Sequence, residues 1–212
     1  MKKAMILTSY LDGARHLTPA VLDAASYDAI ICADGGLRWA QRLDLTPTIL
    51  IGDYDSMDQP VGEELIVLPQ EKDMTDTEAA LDLALKEGAK QVTIIGGLGG
   101  RFDHTMGNIG LLCKSATSGV DVSLEDGYNK AFILTPGTYQ LERGRFHYFS
   151  LIAYGGSVTG LTLEGAKYWL HNHTLTCDTS LGVSNEVAPG YEQATISFTG
   201  GLLLVIQTND AD

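Results

Sequence analysis

Val92-Thr93-Ile94-Ile95-Gly96-Gly97-Leu98-Gly99-Gly100-Arg101-Phe102-Asp103-His104 holds the fold in miniature. Its opening residues are apolar or β-branched on both alternating faces, which is how a strand covered on both sides of a parallel sheet reads. Glycines end it, and a helix is expected over 103–115. A strand that empties through glycines into a helix is the βα unit of an α/β sheet. The same texture recurs at 4–8, 29–33, 48–52 and 65–68. The clearest helix candidate lies between, over 76–87, where Ala80, Leu81, Ala84 and Leu85 form one apolar face. Thr75 with Glu78 makes a capping box at its start, and Gly88 ends it. Segments 120–124 and 130–134 add further strands. Residues 1–135 are thus expected to form a doubly wound, mostly parallel α/β domain.

After Pro136-Gly137 the periodicity changes. Alternating segments at 146–153, 157–163, 174–176, 194–198 and 202–207 come with turn residues between them, and no helical stripe appears. Short strands at such spacing predict an antiparallel β-sandwich or barrel over 136–212.

Composition narrows the function. The 212 residues are 44% hydrophobic and 19% charged, ordinary for a folded chain, and the formal net charge of −13 disfavours nucleic acid and anionic membranes as partners. Met1-Lys2-Lys3 precedes an apolar run that ends by Thr8, too short for a secretory leader, so a cytoplasmic location is expected. No run approaches the roughly 20 apolar residues needed to span a bilayer. Cys32, Cys113 and Cys177 have neither metal nor redox spacing and read as small core residues. Between Asp53 and Asp103 stand twelve acidic against four basic residues, a net of −8.

Much of that acid follows strand ends, where parallel α/β sheets bind ligands. Asp34 follows the segment 29–33, Asp53 and Asp55 follow 48–52, and Asp73 and Asp76 follow 65–68. Two carboxylates about 4 Å apart repel by roughly 4 kcal/mol at an effective dielectric of 20, so a fold that gathers several calls for a cation. Oxygen ligands without nearby Cys or paired His favour Mg²⁺. A single Asp-x-Asp is more often a turn with solvated acids; repetition at successive strand ends weakens that reading. The glycine run fits neither a Walker A loop nor the dinucleotide spacing. It does lead from a strand into a helix, where the amides of Gly97, Gly99 and Gly100 could face a phosphate. Arg101 and Lys72 supply cations. Metal, basic side chains and amides are the parts of phosphoryl transfer. His171 and His173 read as exposed loop histidines, and Trp39 and Trp169 as packing residues.

Five motifs in order, Ala33-Asp34-Gly35-Gly36, Gly52-Asp53-Tyr54-Asp55-Ser56, Lys72-Asp73-Met74-Thr75-Asp76, Gly99-Gly100-Arg101-Phe102-Asp103-His104 and Gly182-Val183-Ser184-Asn185-Glu186, make the chain resemble the thiamine pyrophosphokinase family over nearly its whole length. Val183 stands where members usually have Leu, and 202–206 lacks a tryptophan that some relatives place there. The resemblance implies transfer of diphosphate from ATP to the hydroxyl of thiamine, giving AMP, in a homodimer with thiamine at the subunit interface. It implies that Asp53, Asp55, Asp73 and Asp76 hold Mg²⁺ and that Lys72, Arg101 and the glycine amides face the phosphates. Asp34 and Asp103 would orient thiamine or accept its proton, with His104, Ser184 and Asn185 on the substrate side. Two rival readings are an aspartyl-phosphate phosphatase with Asp53 as nucleophile and a non-catalytic nucleotide or vitamin sensor.

Overall fold

The structure, a computed structural model, describes residues 1–52, 64–67 and 73–211. The chain divides into two compact units, Met1–Gly127 and Tyr128–Asp212.

In the first unit, β1 (Lys3–Leu7), β2 (Ala29–Ala33), β3 (Ile49–Gly52), β4 (Glu64–Val67), β5 (Gln91–Ile95) and β6 (Asp121–Glu125) pair in parallel in the order β4-β3-β2-β1-β5-β6. The chain steps outward from β1 to β4, then returns to lay β5 against the other side of β1. That reversal puts a crevice at the carboxyl ends of β1 and β5. All five residues of β2 are buried, as are Met5, Ile6 and Leu7, which is why these segments read as continuous apolar runs.

The helices are α1 (Pro19–Leu22), α2 (Gly36–Arg42), α3 (Asp76–Lys86), α4 (Phe102–Leu111) and α5 (Cys113–Ser118). At the start of α3 the Thr75 hydroxyl accepts the Glu78 N–H at 3.2 Å. The reciprocal half of the expected capping box is replaced, because the Glu78 carboxylate lies 3.0 Å from Lys114 Nζ. The helix expected over 103–115 is two, joined at Leu112, whose carbonyl accepts the Ser115 hydroxyl at 2.6 Å. Such a side-chain bond competes with the helical ladder.

In the second unit, β7 (Asn129–Leu134), β8 (Gly137–Glu142), β9 (Tyr148–Glu164), β10 (Leu170–Leu175), β11 (Gln193–Phe198) and β12 (Gly200–Thr208) form antiparallel ladders. β7, read from sequence as part of the α/β domain, pairs along β12, which moves the division of units ahead of residue 135. The segments expected at 146–153 and 157–163 are one 17-residue strand. Its first part pairs with β12, and its end pairs with β11 and β10. Gly155 and Gly160, both at positive φ, lie where the pairing changes. Phe149, Leu151 and Ala153 from the first part share one core with Val158, Leu161 and Leu163 from the second.

Three single-residue readings need correction. Only Cys32 is buried, Cys113 being half-buried and Cys177 exposed. Trp169 is 76% exposed, beside a hollow of about 500 Å³ that Tyr191 also lines. His171 and His173 lie on β10, a strand and not a loop.

Candidate active site

β2 ends at Ala33, and Asp34 takes a left-handed backbone, φ 46, that turns the chain into α2. Its N–H is held by the Ile51 carbonyl of β3 at 2.8 Å. Gly52 lies against it so closely that a β-carbon there would come 3.1 Å from Asp34 Cα. The Ser9 hydroxyl donates to Asp34 Oδ2 at 3.1 Å, while Oδ1 is buried and has no hydrogen-bond partner among the described residues. A buried carboxylate oxygen left in that state is costly, and functional sites are where such atoms collect.

Asp34 lines a cavity of about 420 Å³ at the β1/β5 crevice, together with Ser9, Tyr10, Thr77, Arg101 and His104. Arg101 is largely exposed and forks onto Asp103, Nε to Oδ1 at 3.2 Å and Nη2 to Oδ2 at 2.6 Å. The guanidinium holds the Asp103 carboxyl below the usual aspartate range, helped by the His104 N–H. Asp103 is therefore engaged and exposed, whereas Asp34 has the unmatched oxygen. The two candidates for the same role differ in kind.

The glycine loop behaves differently from its expected use. Gly97 donates its N–H to the Tyr10 carbonyl at 2.7 Å, and Gly99 donates to Thr105 Oγ1 at 3.0 Å. Those two amides are spent inside the protein because the segment after β1 and helix α4 bring acceptors to the loop from outside it. Buried Asn108 adds a bond to the Gly97 carbonyl at 2.9 Å. The loop is a shaped, tied wall.

Asp73 is exposed, and Asp76 begins α3. Asp53, Asp55 and Lys72 lie outside the described residues. Among the described residues no three His, Cys, Asp or Glu gather as a metal site. The donor chemistry where α3 begins nevertheless suits Mg²⁺, since the carboxylates of Asp73 and Asp76 are hard oxygen ligands.

In the second unit, Ser184 is exposed at φ 59, its N–H donating to Ser150 Oγ at 3.1 Å. Asn185, expected on the substrate, is 5% exposed. Its Oδ1 accepts the N–H groups of Tyr168 at 3.0 Å and Glu186 at 2.9 Å, and its Nδ2 donates to the Tyr168 carbonyl at 2.6 Å. That carboxamide ties two loops together. Sequence reasoning missed Ser9, Tyr10 and Thr77, since nothing in isolated polar residues marks them as cavity walls.

Residues 22–124 match the model of the thiamin pyrophosphokinase catalytic domain, and residues 138–203 match that family's vitamin B1 binding domain. The thiamine pyrophosphokinase of Bacillus subtilis (strain 168) is 34% identical over 207 residues, spanning 93% of this chain and 96% of that one. The chain belongs to the thiamin pyrophosphokinase family. Its activity is that of an ATP-dependent thiamine pyrophosphokinase. Crystal structures agree. The thiamine pyrophosphokinase of Bacillus subtilis superimposes with a TM-score of 0.87 at 30% identity, covering 99% of this chain and 100% of that one. A thiamin pyrophosphokinase family protein of Enterococcus faecalis gives 0.84 at 30% identity over 100% of both. These likenesses favour neither the phosphatase nor the sensor.

Proposed function

We propose that the cavity at the β1/β5 crevice is where this thiamine pyrophosphokinase brings the thiamine hydroxyl to the β-phosphorus of ATP. A bond forms between the hydroxyl oxygen and the β-phosphorus, the bond from that phosphorus to the α–β bridging oxygen breaks, and AMP leaves with that oxygen. The hydroxyl proton passes to a carboxylate. Asp34 is best suited to take it: Ser9 occupies Oδ2, and Oδ1 is the buried oxygen without a hydrogen-bond partner among the described residues. That atom is the observation that carries the reading. In-line displacement of this kind is catalysed chiefly by positioning and charge neutralisation. Arg101 brings its positive charge to the cavity wall, with Asp103 fixing the direction of the fork. Gly97 and Gly99, with their N–H groups spent, contribute shape, leaving Gly100 and Lys72 as further candidates for the phosphates.

Mg²⁺ belongs to this reading through Asp76 and Asp73, with Asp53 and Asp55 by their motif. When bound it offsets the charge of the phosphate oxygens. The full assembly is a homodimer with thiamine between subunits, Ser184 and His104 on the substrate side, working in the cytoplasm.

The test is incubation with ATP, Mg²⁺ and thiamine, with products identified by mass. Thiamine diphosphate and AMP in equal amounts are expected, with loss of turnover on chelation and recovery on adding Mg²⁺. ADP or inorganic phosphate in place of AMP would overturn it.

A further inference from the structure

Tyr10 belongs to none of the five sequence motifs, yet its placement is heavily specified. Three hydrogen bonds fix the backbone on which it stands. The Trp39 indole N–H donates to the Ser9 carbonyl at 3.0 Å. The Gly97 N–H and the Thr8 hydroxyl both donate to the Tyr10 carbonyl, at 2.7 and 3.2 Å.

The ring lies directly on the glycine loop. A β-carbon on Gly99 would come 3.0 Å from Cε1, and one on Gly100 would come 2.9 Å from Cδ2 and Cε2. These atoms belong to opposite edges of the ring, so the loop meets the ring at both edges. Any larger residue at either glycine would wedge the ring away. The residue is still 44% exposed, and it lines the cavity with Asp34 and Arg101. Among the described lining residues it is the one Phe, Tyr or Trp side chain.

A phenol ring packed against the glycine loop and still 44% exposed beside a polar cavity offers a flat apolar surface. Planar rings bind such surfaces by offset stacking, favourably beyond the area they bury. Because the backbone that carries the ring is held by three hydrogen bonds, little freedom is lost when a ligand settles on it. We propose that Tyr10 is a stacking platform for the planar heteroaromatic ring of a substrate: the adenine of ATP or the aminopyrimidine of thiamine. This rests on the cavity being the substrate site and adds a binding residue to it.

Calorimetric titration of the wild-type protein, Tyr10→Phe and Tyr10→Ala decides the matter, with three probes in Mg²⁺ buffer: α,β-methylene-ATP, thiamine, and inorganic tripolyphosphate. Tyr10→Ala should weaken one of the two ring-bearing probes by about fivefold to tenfold. Tyr10→Phe should stay within about twofold of wild type, and tripolyphosphate should bind all three proteins alike. The probe that weakens names the ring. The proposal is overturned if Tyr10→Ala binds both ring-bearing probes as tightly as wild type. It is overturned equally if tripolyphosphate weakens in step, since the phenol then only shapes the loop. If Tyr10→Ala does not fold, Tyr10→Leu, which fills the space without a π face, is held to the same outcomes. Wild-type protein that binds neither ring-bearing probe would instead bring down the assignment of the cavity, and this proposal with it.

Discussion

A buried carboxylate oxygen without a partner costs the folded state on the order of 1–3 kcal/mol, so Asp34 Oδ1, which has none among the described residues, is a local destabilisation. Asparagine tolerates the left-handed backbone better than most residues, and φ is 46 here. Asp34→Asn should therefore keep the fold, with thermal stability equal to or above wild type, while turnover falls on the order of 100-fold or more if the carboxylate takes the proton. Melting curves and AMP release measure the two. Full turnover in Asp34→Asn would sink the role. At this scale the place of Asp34 was legible, because a carboxylate that directly follows a buried parallel strand lands at the carboxyl edge of the sheet. The state of the glycine loop was not, because the acceptors for its amides, Tyr10 and Thr105, arrive from other elements. Asn185 was opaque for the same reason: its two bonds to Tyr168 depend on the packing of one loop on another.

Between elements, Lys114 joins α5 to α3, with Nζ 2.5 Å from Asp82 and 3.0 Å from Glu78. Asp82 and Glu78 sit one helical turn apart, where like charges oppose helix formation. Partial burial pulls the Lys114 ammonium down, but hydrogen bonds to Asp82 and Glu78 outweigh it, and its pKa lies above the ordinary lysine value. A raised pKa in the folded state means the stabilisation is complete below the unfolded value, about 10.4, and is lost as pH rises through the folded one. These side chains are partly solvated, so screening keeps the sum near 0.5–1 kcal/mol. Lys114→Met should lose about that much between pH 7 and 9 in denaturant titrations, and the gap should narrow above about pH 11. A gap that stays constant with pH would mean packing and not charge. The apolar face and Thr75 cap of α3 were readable because they are local; its salt bridge to α5 was not. In the second unit the alternation announced strands but not their continuity. Gly155-Gly156 reads as a break in sequence, and only the ladders on β9 reveal that the chain carries on through it.

The catalytic-domain match, residues 22–124, lies in the first unit, while Ser184 and the vitamin B1 binding match, residues 138–203, lie in the second. If each catalytic centre draws thiamine contacts from the partner subunit, as proposed, a defect in one unit can be complemented by a defect in the other. Mixing Asp34→Asn with Ser184→Tyr, each inactive alone, then produces heterodimers with one centre carrying both defects and one carrying neither. In a two-fold dimer formed at random, half of the molecules are heterodimers with one working centre of two, so activity should return to about a quarter of wild type. Denaturing the variants together and refolding them allows the exchange, and sedimentation should give a mass about twice the 22.7 kDa of the chain. If both contact sets came from one chain, a mixed dimer would pair one defect with each centre, and activity would stay at zero. Recovery therefore separates a shared centre from a self-contained one, which dimer mass alone does not.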